Sequence, residues 1–215
     1  MTDWSTIASL ATAGGTLILA VATFAAIRSA NRSARISERA ARTAEESLLA
    51  GQRPLLVNSR LQDPTQKIQF PEGLLLTVNG GTAEIEVTDE VVYLAVSVRN
   101  VGSGLAVLHG WDIAVGLQTE RSHPPIENFT TQSLDIYVAP GDIALWLGAL
   151  RDPASDTFRA VADAFNAGEP LVIYLLYGDF EGGQRVITQL TLRHGAERCL
   201  AQATRHFNVD RPDPR

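Results

Sequence analysis

Four histidines, one cysteine and a scatter of acids are the side chains of this chain with the means to do chemistry. His109, His123, His194 and His206 share no ligand spacing, whereas a closed zinc set needs three or four ligands grouped on one or two short elements. Each therefore reads as a surface or core-edge imidazole. Cys199 has no C-x-x-C partner, and a nucleophilic thiol needs a neighbouring base; His206 could lie across the fold from it, but a half-buried strand cysteine is the simpler reading. Asp179 and Glu181 fall together, as do Asp152 and Asp156. Together they could offer calcium the several oxygens it requires, but acids also favour turns and helix starts for local reasons. Asn128-Phe-Thr matches a glycosylation acceptor. No glycine-rich phosphate loop, nucleophile elbow or H-E-x-x-H occurs. The residues thus nominate no catalytic group, no metal ligands and no cofactor.

Charge is the next source of information, because it is unevenly placed. Six arginines and four acids in residues 1–53 give +2, so the other 162 residues carry −8 of the total −6. An acidic body lacks the cationic face that displaces counterions from nucleic acid. Five of the six arginines, at 28, 32, 35, 39 and 42, follow an uncharged stretch of 23 residues from Ser5 to Ile27. As a helix that stretch is about 34 Å long at about 1.5 Å per residue, enough for a bilayer's hydrocarbon. An acid precedes it and the arginines follow it, the reverse of a cleaved signal peptide. The expectation is an uncleaved single-pass span with its N-terminus outside and all that follows in the cytoplasm, since basic residues flanking a span stay inside.

Steps of four and three along this helix separate two faces. One carries Ser9, Thr12, Thr16, Thr23, Ala26 and Ala30, with Gly15 beside Thr16. Small residues let helices approach closely in a membrane, so the face is expected to meet a second copy of the chain. A seven-residue repeat would add a gentle left-handed supercoil, giving a coiled-coil-like stalk. The other face runs Ile7, Leu10, Gly14, Leu17, Val21 and Phe24, then becomes the five arginines. Arg42 lies about 21 Å beyond Arg28 on a straight helix, well past a Debye length of about 8 Å. Arg28 and Arg32 are therefore the membrane-surface residues, and the rest form the solvated back of the stalk. Gly51 and Pro54 should end the helix.

Beyond Pro54 the period changes from helical to alternating. Residues 91–98, VVYLAVSV, put Val92, Leu94, Val96 and Val98 on one face, and 111–118 put Trp111, Ile113, Val115 and Leu117 inward. Further strands are expected at 55–60, 74–78, 83–88, 134–138, 143–148, 170–178, 184–193 and 198–206, separated by Gly, Pro and Asn/Asp clusters. Phe158, Val161, Ala162 and Phe165 have one-face helical spacing, which predicts a short helix near 155–167. Gly182-Gly183 mark a hairpin turn. Many short strands with turn signals at this density indicate an antiparallel β-sandwich.

Asn100, Gly102, Gly104 and Ala106 spell N-x-G-x-G-x-A after an alternating strand. The motif resembles a turn of bacterial Ig-like modules, including those called CARDB, and the layout resembles single-pass membrane proteins of actinobacteria with a β domain. The resemblance implies an Ig-like module that binds or scaffolds a protein partner, with no catalytic residues to transfer. The modules it resembles are usually exported, which opposes the orientation read from the arginines.

The expected organisation is a span over 1–27, a stalk over 28–53, an Ig-like sandwich over 54–207 and a disordered tail over 208–215. The partners expected are the lipid bilayer, a second copy through the helix, and a protein docking on the sandwich. The candidate surface for that protein is aromatic: Trp111 and Trp146 on strands, bordered by a loop carrying His123 and Phe129. Core packing accounts for the strand aromatics as well.

Overall fold

The computed structural model describes residues 4–134, 136–195 and 198–210, except for the side chains of residues 4–7 and 11. It divides into two compact units, residues 1–50 and 51–215.

The first unit is one helix, α1 (Trp4–Gly51), of 48 residues without interruption, as the sequence leads one to expect. No Pro or β-branched cluster breaks it. The hydroxyls of Thr12, Thr16 and Thr23 each donate to the carbonyl four residues earlier, at 2.8–2.9 Å. They therefore present no unsatisfied donor to an apolar surrounding. The helix is long and apolar enough to cross a membrane. In its second half Glu38 and Arg42 pair at 2.6 Å with both side chains exposed, a favourable order and spacing worth a few tenths of a kcal/mol.

The second unit is almost wholly antiparallel β. In chain order its strands are β1 (Leu56–Asn58), β2 (Gln66–Gln69), β3 (Leu75–Val78), β4 (Thr82–Val87), β5 (Val92–Asn100), β6 (Ala106–Val115), β7 (Thr130–Thr131), β8 (Tyr137–Val138) and β9 (Ile143–Leu150). After the helix α2 (Asp156–Asn166) come β10 (Leu171–Gly178), β11 (Val186–His194) and β12 (Cys199–Asn208). One sheet centres on β5, with β9 along one edge and β4 and β1 sharing the other. The other runs β12-β11-β10-β6, with β7 and β8 beyond β6. The two meet at a corner where β4 and β12 share only two residue pairs, Cys199 with Ala83 and Leu200 with Thr82.

Alternation along the strands explains why three cores result. Val92, Leu94, Val96 and Val98 point between the sheets, where they meet Leu171, Ile173, Leu175 and Tyr177 of β10. Tyr93 and Ala95, on the opposite face of β5, pack under the separate β2–β3 hairpin with Phe70, Val78, Leu145 and Leu147. Val172, Tyr174 and Leu176, on the opposite face of β10, pack with Ile187 and Phe207 beneath Ile126 and Phe129. Strands buried on both faces read as continuous apolar runs, and the sequence of β10, LVIYLLYG, is one.

The structure departs from the sequence expectations in a few places. β6 begins five residues earlier than the expected 111, and it stops at Val115, where Gly116 takes a φ of +79°. Leu117 is consequently exposed instead of inward. β2 and β7 were not expected; each is short and polar, and only its neighbour makes it a strand. Asn208 closes β12, and Asp210 pairs with Arg185 at 2.7 Å, so the ordered chain continues past 207. The rest of the expected tail, 211–215, lies outside the described residues. In α2, Ser155 caps the first turn by accepting from the Phe158 amide at 3.2 Å, and Phe158, Val161 and Ala164 are buried.

The N-x-G-x-G-x-A turn has a definite physical task. Asn100 is fully buried; its Oδ1 accepts from the amides of Leu55 and Gly102, and its Nδ2 donates to the carbonyls of Gly104 and Val138. A Cβ on Gly102 would lie 2.7 Å from the Pro54 carbonyl carbon, and one on Gly104 2.5 Å from that of Gln52. The glycines let the segment that enters the β unit lie directly on the turn.

Candidate functional site

One feature of the β unit with the form of a binding site is a cavity of about 320 Å³ beside the main core. Its walls come from three places: the tip of the β2–β3 hairpin, the end of β9, and residues 130–134 with Trp111 behind them. Among the described residues β9 pairs only with β5, and β7 only with β6. The cavity therefore lies between two open sheet edges, one from each half of the sandwich.

Trp111, which lines the cavity, makes an edge-to-face pair with Trp146 of the main core, 5.4 Å between centroids and 74° between planes. Gly148 makes that pairing possible, because a Cβ there would sit 2.6 Å from the Trp146 ring and 3.3 Å from that of Trp111. The principal polar side chain is Gln132, about nine-tenths buried. Its Nε2 donates to the carbonyls of Leu134 at 2.8 Å and Leu147 at 3.3 Å. Two carbonyl partners fix which end of the amide is nitrogen. Oε1 is then left buried with no hydrogen-bond partner, a state costing about 1–3 kcal/mol. At the mouth, Arg151 is bound by Glu72 at 2.7 Å, and that guanidinium holds the Glu72 carboxyl below its ordinary range. Arg151 is the only ionised side chain among the described lining residues, and it is already paired.

The four aromatic candidates divide. Trp146 is 1% exposed and Trp111 4%, so neither is a surface anchor, because their rings fill the main core; Trp111 also lines the cavity. His123 stacks edge-on against Phe207 at 5.5 Å, and half-buried Phe129 packs over the core on the far face of β10. The structure thus does not bring the four together as one surface. The loop that carries His123 and Phe129 is a lid on that core, with a single 3₁₀ turn at Ile126–Asn128.

The other titratable candidates are also dispersed. His194 lies on Phe165 at 4.8 Å. His109 has its Nε2 buried without a partner, and burial first, then Arg185, lowers its pKa. Burial pushes the Cys199 thiol up to about 11, with Glu84 adding to the effect, so it is not a thiolate at neutral pH. Asp179 accepts from Gly183 and Gln184 in the β10–β11 turn, while Asp152 and Asp156 cap and pair at the start of α2. Among the described residues no three His, Cys, Asp or Glu side chains converge.

One buried polar cluster joins four strands. Tyr177 Oη accepts from the Leu56 amide at 3.0 Å and lies 2.8 Å from Thr188 Oγ1. Thr188 gives its single proton to the Leu56 carbonyl. Its oxygen must then accept from Tyr177 and from His206 Nδ1, 2.9 Å away. That count assigns the Nδ1–H tautomer to His206. Burial pushes the Tyr177 hydroxyl up to about 12, and burial followed by Arg53 lowers the His206 pKa. Every partner here is structural, and the cluster's role is to pin β1 across the sandwich.

Gln132 and Arg151 carry no sequence signal: each is a lone polar residue in a loop or at a strand end, and only the fold gives it a neighbour. Compared with known proteins, the chain matches no family model, no curated protein and no solved structure.

Proposed function

We propose that the chain is a membrane-anchored binding or scaffolding protein. In this reading α1 crosses the bilayer once with its N-terminus outside, Arg28 and Arg32 lie at the headgroups, and an Ig-like sandwich is presented at the cytoplasmic face to a protein partner. The small face of α1 meets a second copy. The observation that carries the reading is the state of α1: Leu10, Leu17, Ile18, Leu19, Val21 and Phe24 are all well exposed on an uncharged stretch. Apolar area of that kind is stable in hydrocarbon and costly in water, at about 25 cal/mol per Å². The arginines that follow it support the orientation. Binding in preference to catalysis is supported by the dispersal of the histidines and acids over separate elements.

The resemblance of the Asn100 turn to exported modules favours a second reading, an extracytoplasmic adhesion or ligand-binding module. Fusing a cytoplasm-active fluorescent reporter and a periplasm-active phosphatase, separately, after Arg215 distinguishes the two. Fluorescence without phosphatase activity is expected. Phosphatase activity without fluorescence would reverse the topology and make the exported reading the correct one.

A further inference from the structure

The basic residues of α1 divide into two groups of different electrostatic character. Residues 28–37 hold Arg28, Arg32 and Arg35 and no acid, whereas residues 38–50 set Arg39 and Arg42 against Glu38, Glu45 and Glu46. Among the described residues the ion pair of the helix lies in the second group, between Arg42 and Glu38. The first group is therefore an uncompensated charge of +3, and it is compact. Steps of four and three keep its members on one face, over about 10 Å of helix axis. That is close to one Debye length, about 8 Å. Side chains of a helix lean towards its N-terminus, here the direction of the uncharged stretch, and arginine's long stem lets the guanidinium reach further that way. Arg35 thereby joins Arg28 and Arg32 at the boundary. Phe24 and Ile27, both well exposed, line the same shallow depression of the helix surface as the three arginines and Asn31. Apolar and cationic side chains thus lie end to end, an arrangement that matches an acyl chain joined to a phosphate.

We propose that Arg28, Arg32 and Arg35 form a binding site for an anionic phospholipid, selecting headgroups of net negative charge over zwitterionic ones. Guanidinium groups hold phosphate oxygens through paired N–H donors, and any phospholipid offers the phosphate. Selection arises because a zwitterionic headgroup brings its own cation and leaves the +3 unneutralised, while an anionic one does not. The acyl chain lies along Phe24 and Ile27. A soluble phosphate would use the arginines but not those two side chains, so the occupant is the lipid. Arg39 and Arg42 take no part: glutamates match their charge within the helix, and they begin about one turn beyond Arg35. The proposal rests on the reading of α1 as a span, though not on which side of the bilayer the β unit lies.

The test is quenching of a tryptophan placed in the site, in the full chain. The parent carries Trp4→Phe and Phe24→Trp, and buried Trp111 and Trp146 give it a constant background. It is reconstituted in phosphatidylcholine nanodiscs that contain a small, equal fraction of brominated phosphatidylglycerol or brominated phosphatidylcholine. At low salt the anionic lipid is expected to be enriched at the reporter by at least about fivefold, the effect of about one arginine at an anionic surface. The preference should shrink as salt is raised. Arg28→Gln, Arg32→Gln and Arg35→Gln together should bring the two lipids within about twofold of each other. Asn31→Glu keeps every arginine and sets an acid three residues after Arg28 and four before Arg35; it should lower the preference at least about twofold. Glu38→Gln, Arg39→Gln, Arg42→Gln and Glu45→Gln together delete matched charges and should leave it unchanged. Equal quenching by the two lipids in the parent would overturn the proposal, as would a preference unchanged in the triple variant or in Asn31→Glu. A preference lost in the fourfold variant would also overturn it. So would one abolished by inorganic phosphate at matched ionic strength, which would assign the arginines to a soluble anion. Quenching by neither lipid would reject the span itself and the proposal with it, so the two failures are distinguishable.

Discussion

At the scale of single residues, Asn100 uses both ends of its amide at once. It makes four hydrogen bonds in a fully buried position, accepting two and donating two. Aspartate has the same shape but no donor, so Asn100→Asp sets a second oxygen against the Gly104 and Val138 carbonyls, 2.7 and 3.0 Å away in the parent. The expected loss is about 2–4 kcal/mol at pH 7, from two orphaned acceptors. The sign with pH is defined. A buried aspartate facing carbonyls has a raised folded pKa, so the penalty relative to the parent is full at neutral pH and shrinks as pH falls through that value. Denaturant unfolding of both proteins at pH 7 and pH 5 measures it. A difference below about 1 kcal/mol at pH 7 would mean that the turn does not hold the incoming segment.

At the scale of elements, α1 shows how one helix carries two messages on opposite faces. Its threonine hydroxyls are satisfied within the helix, and an added Cβ on Gly15 would meet nothing within 4 Å. Neither feature stabilises the helix by itself, and glycine costs it about 1 kcal/mol relative to alanine. Close approach of a second helix would recover that cost through packing. Leucine at Thr12, Gly15 and Thr16 together is therefore expected to abolish self-association in the bilayer, read by crosslinking yield, while leaving insertion intact. Unchanged crosslinking would reject the small face as an interface. β5 and β10 are the corresponding two-faced elements of the second unit, each serving two cores at once.

Over the whole molecule, charge and protonation set the conditions under which the β unit stays folded. Burial lowers the pKa of both His109 and His206, with Arg185 and Arg53 adding to it; Asp179 partly opposes the effect at His109. A histidine whose folded pKa lies below its ordinary 6.5 binds fewer protons folded than unfolded, so stability rises with pH. The contribution is complete above about pH 6.5 and is lost progressively as pH falls below it. The thermal midpoint of the β unit should therefore drop between pH 7 and pH 5, followed by near-UV dichroism of the buried tryptophans. His206→Asn keeps a donor for Thr188 without a titrating ring and should flatten the slope. An unchanged slope would place the pH sensitivity elsewhere.

Some of this was legible in the sequence because it is local. The start and end of α1, the arginine spacing, the alternation of β5, the apolar face of α2 and the glycine turn before β11 all depend on residues within one or two turns of each other. Their periods survive whatever the rest of the chain does. What tertiary structure alone decided depends on distant pairings. β2 and β7 are strands only because β3 and β6 lie beside them. Asn208 and Asp210 are held by β11 and Arg185 where the sequence reads as a tail. Trp146 proved to be core because Trp111 and Gly148 close around it. The Gln132 cavity exists because two sheet edges, more than a dozen residues apart in sequence, end side by side without pairing, and no local pattern encodes a gap.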